Sequence, residues 1–469
     1  MKTFSIQTLG CKVNQYESQQ IRQMLEQAGL SVRSHQPDLV VVNTCCVTHI
    51  ASAKSRRKIR KVQKTYPNSS VIVTGCLPVG QDQELQGIKN IIIARDKNHL
   101  PVIVDRLMKD WTPASTDTCT SKPLNPDKIK DKNHNLPYQE ESNPLSDAQR
   151  PNPVNIAKEH EPQHATKPKS LGLLSHFKGQ CRSFLKVQDG CDAYCTYCII
   201  PKIRKNVCNK DVKSVLTEAK NLVEAGHREI ILTGIFLGAY GQTTARRKKW
   251  DPAKQDMLAE LVNAVANVEG LKRLRLSSLE PLDVTDRLLE VMTNHTNIMP
   301  HLHLPLQAGS GNVLRKMARQ YTIEDYMRVI DTVKAAFDRP AITTDIIVGY
   351  PGETEDDFNE TLNISKQVKF AKIHVFSFST RENTAAVKMA ELFGKVPPAE
   401  IKRRSTALQA LDNQLQADFR NACRGLSETV IVEKTKPPQG RTTRYFMHDL
   451  SDHPNAKHLK KGQLVNVTV

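Results

Sequence analysis

The chain has 469 residues, with 67 Lys plus Arg against 49 Asp plus Glu, a formal charge of +18. A mean hydropathy of −0.46 and the lack of any run of 18 apolar residues exclude a membrane-spanning helix, and the opening MKTFSIQTLG has no apolar stretch of secretory length. What remains is a cytoplasmic, monomeric protein of about three domains, with a polyanion, nucleic acid ahead of membrane, as partner.

Residues 1–110 alternate apolar runs with helical patterns. Strands are expected at 4–9, 39–44 (LVVVNT), 71–75 and 90–94, with a helix over 17–27. Continuous apolar runs mark buried parallel strands, so the unit reads as an open α/β sheet. Residues 111–180 change character: nine of the 25 prolines lie between Pro113 and Pro168, amid polar residues without period. This stretch reads as a low-complexity linker or insertion. Over 181–400 the alternation returns, with strands at 184–190, 229–234, 274–279, 301–306, 342–349 and 373–378. Six such units suggest a partial (β/α)6 barrel, with chemistry at the carboxyl ends of its strands. A connecting helix over 401–424 leads to short alternating strands in 425–469, a small all-β barrel of the oligonucleotide-binding type.

In a cytoplasmic chain the 11 cysteines read as metal ligands or catalytic thiols rather than disulfides. Cys191, Cys195 and Cys198 form C-x3-C-x2-C directly after an expected strand. Three thiolates on one loop suit a [4Fe–4S] cluster with one iron left open, where S-adenosylmethionine can bind. The alternative is a zinc knuckle with Cys208 or Cys181 as fourth ligand. Cys11, Cys45 and Cys76 each follow an expected strand (TLGC, VNTC, VTGC). In an open α/β sheet those ends converge on one edge, so the three form a second thiolate site, against the alternative of three buried small hydrophobes. Cys46 points away if its strand continues. Cys46, Cys119, Cys181, Cys208 and Cys423 receive no role.

These motifs resemble the methylthiotransferase family of radical S-adenosylmethionine enzymes over almost the whole chain outside the linker. They are TLGCKVNQYES, VVNTCCVTHIASAKSRRKIR and VTGC in the first unit, and CDAYCTYCIIP, LTGIFLGAYG, LRLSSLEP, HLHLPLQAGSGNVLRKMARQYT and TTDIIVGYPGETEDDF in the second. The C-terminal unit is similar to the family's TRAM domain. The resemblance implies two [4Fe–4S] clusters with divided labour. The one at Cys191, Cys195 and Cys198 would cleave S-adenosylmethionine to a radical that takes hydrogen from the substrate. The one at Cys11, Cys45 and Cys76 would deliver methylated sulfur. An electron donor and a sulfur source are implied as partners. Of the three branches, acting on isopentenyladenosine in tRNA, on threonylcarbamoyladenosine in tRNA, or on a ribosomal-protein aspartate, GCKVNQYES and HLHLPLQ resemble the second. The target is then adenosine 37, beside the anticodon, methylthiolated at C2. A non-catalytic iron–sulfur RNA-binding relative is the alternative from another class.

Gly234, Gly238, Ser278, Glu280, Gln307, Asp345 and Gly349 lie at or beyond strand ends of the radical unit and are candidates to contact S-adenosylmethionine, or else turn and cap residues. Seven cations without an acid occupy 53–65, among them Arg56, Arg57, Arg60 and Lys61, and read as a tRNA-contacting helix. Residues 246–250 (RRKKW) are similar. In the C-terminal unit Arg441, Arg444 and Tyr445 are expected to meet RNA backbone and bases. The chain departs from the family pattern at Lys205, Ser377 and Asn383, the last two in place of turn formers.

Overall fold

A computed structural model describes residues 2–80, 82–111 and 171–469. The tether reading of 112–170, and Cys119 within it, lie outside the described residues.

The first unit runs β1 (Thr3–Thr8), α1 (Lys12–Gln27), β2 (Ser31–Val32), β3 (Leu39–Thr44), α2 (His49–Thr65), β4 (Ser70–Gly75), α3 (Cys76–Gly80), β5 (Ile92–Ile93) and α4 (Leu100–Asp110). The strands form one parallel sheet in the order β2-β1-β3-β4-β5. All six residues of β3 are buried, as an unbroken apolar run requires of a strand covered on both faces. Its side chains divide by parity. Leu39 and Val41 join Ile21, Leu25, Leu100 and Val104 from α1 and α4. Val40 and Val42 join Ile59 and Val62 from α2. The direction of winding reverses between β1 and β3, which opens a crevice beyond the carboxyl ends of the strands. Cys11, Cys45 and Cys76 all sit at that edge, just after β1, β3 and β4.

The second unit starts earlier than its sequence suggests. Leu174 and Phe177 are buried in its core, and Gln23 of α1 donates to the Leu173 carbonyl at 2.8 Å while accepting from the Ser175 amide at 2.8 Å. Residues 171–180 therefore belong to the folded body and not to the linker: two apolar side chains suffice to anchor them, too few to show as a period. β6 (Ser183–Lys186) follows, then an antiparallel ribbon of β7 (Gln188–Asp189) and β8 (Cys208–Asn209) enclosing the short α5 (Ile200–Ile203). Then come α6 (Val212–Glu224), β9 (Glu229–Thr233), α7 (Met257–Ala266), β10 (Arg273–Leu276), α8 (Asp286–Asn294), β11 (His301–His303), α9 (Gly311–Lys316), α10 (Ile323–Ala336), β12 (Ala341–Val348), α11 (Glu355–Val368) and β13 (Lys372–Ser377). The strands hydrogen-bond as β6-β9-β10 and β11-β12-β13. A parallel bridge from Leu274 to Ile298 joins the two groups into an arc of six. Capping boxes at Thr322/Asp325 and Thr354/Asp357 start α10 and α11.

Leu274, Leu276, Leu302, Ile342, Ile346 and Ile373 face the surrounding helices in one continuous core. Strand alternation therefore turns Arg273, Arg275, His301, His303, Thr343, Asp345 and His374 to the inside of the arc. The first unit bridges the open side: α1 packs on β6, and Arg381, beyond β13, donates to the Cys46 carbonyl and, at 3.1 Å, to Ser52 Oγ.

α12 (Ala386–Phe393) and α13 (Pro398–Ala422) follow. α13 is more than a connector: Asp412 accepts from the Ile373 amide at 2.7 Å and holds the helix to β13. The C-terminal unit is an antiparallel sheet in an open row, with β16 (Met447–Asp449), β15 (Pro438–Arg441), β14 (Ser427–Thr435) and β17 (Leu464–Thr468) as successive neighbours. β15 and β16 form a hairpin that turns where Tyr445 takes a left-handed φ of 72°. No helix among the described residues is long and apolar enough to cross a membrane.

Candidate metal centres

At the N-terminal sheet edge the backbone is held tightly. Gly10 has φ +103°, and a Cβ there would stand 2.7 Å from Cys45 Cβ, so the loops after β1 and β3 meet only because that position is glycine. Asn14 donates to the carbonyls of Leu9 and Thr44, both at 2.8 Å, tying the same two loops. Ser55 of α2 accepts from the Cys45 amide at 3.2 Å and donates to its carbonyl at 2.9 Å. Cys45 and Cys76 are buried and Cys11 is exposed. Burial pushes the Cys76 thiol up to about 11; Arg204 opposes this, and the neighbouring Cys45 and Cys11 add to it. Cys46 does not point away. Its Sγ donates to the Cys76 carbonyl at 3.3 Å.

The second loop is fastened from several sides. The Cys191 amide donates to the Arg204 carbonyl at 2.8 Å and the Cys198 amide to the Cys195 carbonyl at 3.0 Å. Thr196 donates through its amide to Met317 (3.1 Å) and through Oγ1 to Lys316 (3.0 Å). Burial pushes Cys191 and Cys198 up to about 12. Arg319, buried beneath the loop, donates to Cys195 Sγ at 3.0 Å and to Glu280 at 2.6 Å. Sequence reading missed it: one arginine in RKMARQYT carries no signal until the chain folds over it.

The thiols fit iron clusters better than zinc. Four sulfurs at about 2.3 Å from one zinc stand only about 3.8 Å apart. Among the described residues the one trio of ligand atoms within 4.8 Å of one another is His303, Asp345 and His374, and no cysteine trio is that tight. A cluster seats each thiolate on its own iron and takes a wider set. Cys208 is exposed in β8 and Cys181 half-buried before β6, and neither joins the three thiols.

Arg204 links the two sites. Its guanidinium donates to Glu17 of α1 at 2.8 and 2.9 Å and to Asp189 at 2.9 and 3.1 Å, and its positive charge acts on the Cys76 thiol against the effect of burial. Its carbonyl meanwhile holds Cys191.

The other predicted residues scatter. A Cβ on Gly234 would meet Gln188 at 2.9 Å, on Gly238 Asp283 at 1.9 Å and on Gly349 Ile401 at 2.4 Å. These glycines serve close packing, so each position admits no side chain. Ser278 is exposed, and Glu280 lies next to the second thiol loop through Arg319. Gln307 has φ +63°, its amide donating to the Asp345 carbonyl. Asp345 sits inside the arc, 3.4 Å from His303. Asn383 takes a left-handed φ of 63°, so the turn survives without glycine.

On α2, Arg57, Arg60 and Lys61 are exposed, but Arg56 is half-buried in an ion pair with Glu84. In RRKKW, Arg247 pairs with Asp283 and Arg246 with Asp192, leaving Lys248 and Lys249 exposed. The three C-terminal candidates face inward, contrary to expectation. Arg441 pairs with Glu433, Arg444 with Glu428, and the Tyr445 ring stacks on His301 at 3.9 Å. Their charge and aromatic surface are consumed where the C-terminal sheet docks on the arc.

Residues 185–364 match the radical SAM superfamily and residues 3–94 the family described as uncharacterized protein family UPF0004. The chain is 34% identical over 424 residues (89% of this chain, 82% of the relative) to a threonylcarbamoyladenosine tRNA methylthiotransferase MtaB of Bacillus subtilis. It is 33% identical over 440 residues (92% and 87%) to the protein of that name from Thermotoga maritima. With a tRNA-2-methylthio-N(6)-dimethylallyladenosine synthase of Mycobacterium tuberculosis it shares 30% over 439 residues (92% and 72%). Among solved structures, the radical S-adenosylmethionine methyltransferase TsrM of Kitasatospora setae, with cobalamin and a [4Fe–4S] cluster bound, superposes with a TM-score of 0.53 at 12% identity, covering 84% of this chain and 78% of that one. An identity of 34% sustained over 89% of the chain makes it a member of the radical S-adenosylmethionine methylthiotransferases, among the MtaB-type transferases acting on tRNA, with S-adenosylmethionine and [4Fe–4S] clusters as its cofactors.

Proposed function

We infer that the protein methylthiolates C2 of N6-threonylcarbamoyladenosine at position 37 of tRNA, in the cytoplasm. The observation that carries this is the pair of three-thiol sites, one at the carboxyl edge of each parallel sheet, joined through Arg204. Two such sites suit a reaction that needs both an oxidant of an unactivated C–H bond and a store of sulfur. In this reading Cys191, Cys195 and Cys198 hold the cluster that takes S-adenosylmethionine, and Cys11, Cys45 and Cys76 hold the other. When bound, these groups supply a carbon-centred radical and the sulfur respectively. An external electron donor and sulfur source complete the requirements.

The chain's own residues set the stage. Arg319 neutralises charge at Cys195 and fixes Glu280, which with Ser278 and Gln307 borders the cofactor's place. Arg204 holds the two thiol sites in register. The exposed cations of α2 meet tRNA phosphates. The threonylcarbamoyl branch is favoured over the dimethylallyl one by the names of the two relatives quoted at 34% and 33% identity, against 30% for the dimethylallyladenosine synthase.

Mass spectrometry of nucleosides from cells with and without this gene tests the reading. The expected result is loss of the 2-methylthio derivative of threonylcarbamoyladenosine and accumulation of its unthiolated form. Loss of the dimethylallyl derivative instead would overturn the substrate.

A further inference from the structure

The two thiol sites belong to different units, and a short segment after β13 is fastened to both. At one end Arg381 donates through its guanidinium to the Cys46 carbonyl and, at 3.1 Å, to Ser52 Oγ of α2. At the other end the Ala386 amide donates to the Thr196 carbonyl at 2.8 Å, inside the loop that carries Cys195 and Cys198. Between these anchors the chain folds on itself. The Arg381 carbonyl accepts from the Thr384 amide at 3.2 Å and from its Oγ1 at 2.7 Å, and Asn383 supplies the left-handed φ of 63°. A turn closed by its own hydrogen bonds thus reaches from one cysteine loop to the other.

The charge of Arg381 is unanswered by the protein. Only 4% of the residue is exposed, and a guanidinium keeps its proton when buried. Among the described residues no carboxylate pairs with it, and its Nε has no hydrogen-bond partner. The other arginines buried to that degree each meet an acid: Arg273 and Arg275 meet Glu229, and Arg404 meets Glu353. A buried cation without a counter-charge is strongly destabilising, so an anion is expected beside it. Burial works against the charge of Arg381, and the sulfurs of Cys46 and Cys45 favour it. Cys46 itself donates as a thiol to the Cys76 carbonyl, which leaves the ligand cysteines as the source of negative charge. Three thiolates outweigh the charge of an oxidised [4Fe–4S] core, so the loaded site is an anion, and one-electron reduction makes it more so. Arg204 is not an equivalent cation, because Glu17 and Asp189 already answer its charge.

We propose that Arg381, supplied by the radical unit, is the buried counter-charge of the cluster held by Cys11, Cys45 and Cys76. It is a positioning residue that acts through the loop of Cys45. This rests on the reading of those three cysteines as cluster ligands. A cation fixed in a surrounding of low dielectric favours the more negative redox state. The electron affinity of the N-terminal site therefore depends on the radical unit being docked against it.

The test uses the full-length chain carrying C191A, C195A and C198A, reconstituted anaerobically so that only the N-terminal site is loaded. Iron content is measured, and the one-electron midpoint is read by EPR during a dithionite titration with mediators. About four irons per chain are expected; an iron-free chain would overturn the ligand reading and the proposal with it. At the midpoint of this parent chain, R381Q should lower the reduced-to-oxidised ratio about three- to tenfold, which for one electron is about 30–59 mV, with iron content kept. R381K, which keeps the charge, should keep the parent's midpoint. An R381Q midpoint equal to the parent's, at full iron, overturns the proposal and leaves the ligand reading standing. So does an equal lowering in R381Q and R381K, which would make the fork geometry and not the charge responsible. If R381Q does not hold iron, R381K gives the answer: full iron with the parent's midpoint supports the counter-charge, and the same loss of iron overturns it.

Discussion

At the scale of single residues, two positions decide whether the N-terminal thiols form a site. Gly10 is required because a side chain there would fall 2.7 Å from Cys45 Cβ at a φ that L residues avoid. Gly10→Ala should cost about 1–2 kcal/mol in backbone strain alone and push Cys45 out of place. Iron after reconstitution should then fall from about eight per chain to about four, with the Cys191 site keeping its share; unchanged iron would refute the role given to the turn. Arg204 divides its work between side chain and backbone. Arg204→Gln removes the charge that ties Glu17 and Asp189 together and acts on Cys76, but keeps the carbonyl that holds Cys191. A chelator should therefore strip about half the iron faster than in the wild type, and the other half at the wild-type rate. Uniform acceleration of both halves would show that Arg204 merely supports the fold.

Among the elements, α2 shows how burial sorts a run of charges. Ser52, Ser55, Ile59 and Val62 form its buried stripe, and the cations take the remaining circumference. Arg57, Arg60 and Lys61 are free to meet phosphate, whereas Arg56 is held by Glu84. Replacing the three exposed cations with Gln should flatten the salt dependence of tRNA binding by about two to three units in log–log slope. Arg56→Gln alone should leave the slope alone. Equal slopes for the triple variant and the wild type, at full iron content, would remove this helix from the RNA surface.

For the whole molecule, the contact between the arc and the C-terminal sheet rests on buried charge. Burial works against ionised Glu229, but the guanidiniums of Arg275, Arg273 and Arg182 outweigh it and hold its pKa below the usual carboxylate range. With a folded value below the unfolded one, the stabilisation is present above about pH 4.3 and lost as pH falls through the folded value. Glu229→Gln leaves two buried arginines without their counter-charge and should cost about 3–5 kcal/mol near neutrality. Denaturant titrations of the iron-free chain should show the wild type losing stability between about pH 5 and 3 more steeply than the variant. Parallel curves would mean that Glu229 is not the group responsible.

The strands, the two cysteine sets and the order of the units were legible in the sequence, because each is a local pattern. LVVVNT reads as a doubly covered strand wherever it lies, and a cysteine at the end of each of three parallel strands converges with the others by topology alone. Local patterns do not say which partner a charge will meet. Arg441, Arg444 and Tyr445 look like an RNA surface until the C-terminal sheet docks and gives them Glu433, Glu428 and His301. Gly234 and Gly238 read as strand-end glycines, and only the fold shows that Gln188 and Asp283 press against them. Arg319 gains meaning only when separate strands and loops are brought together. The sequence determined periodicity and spacing, which are properties of neighbours along the chain. Tertiary structure decided the partners of charged and polar groups, because those energies depend on distance and burial between residues far apart in sequence.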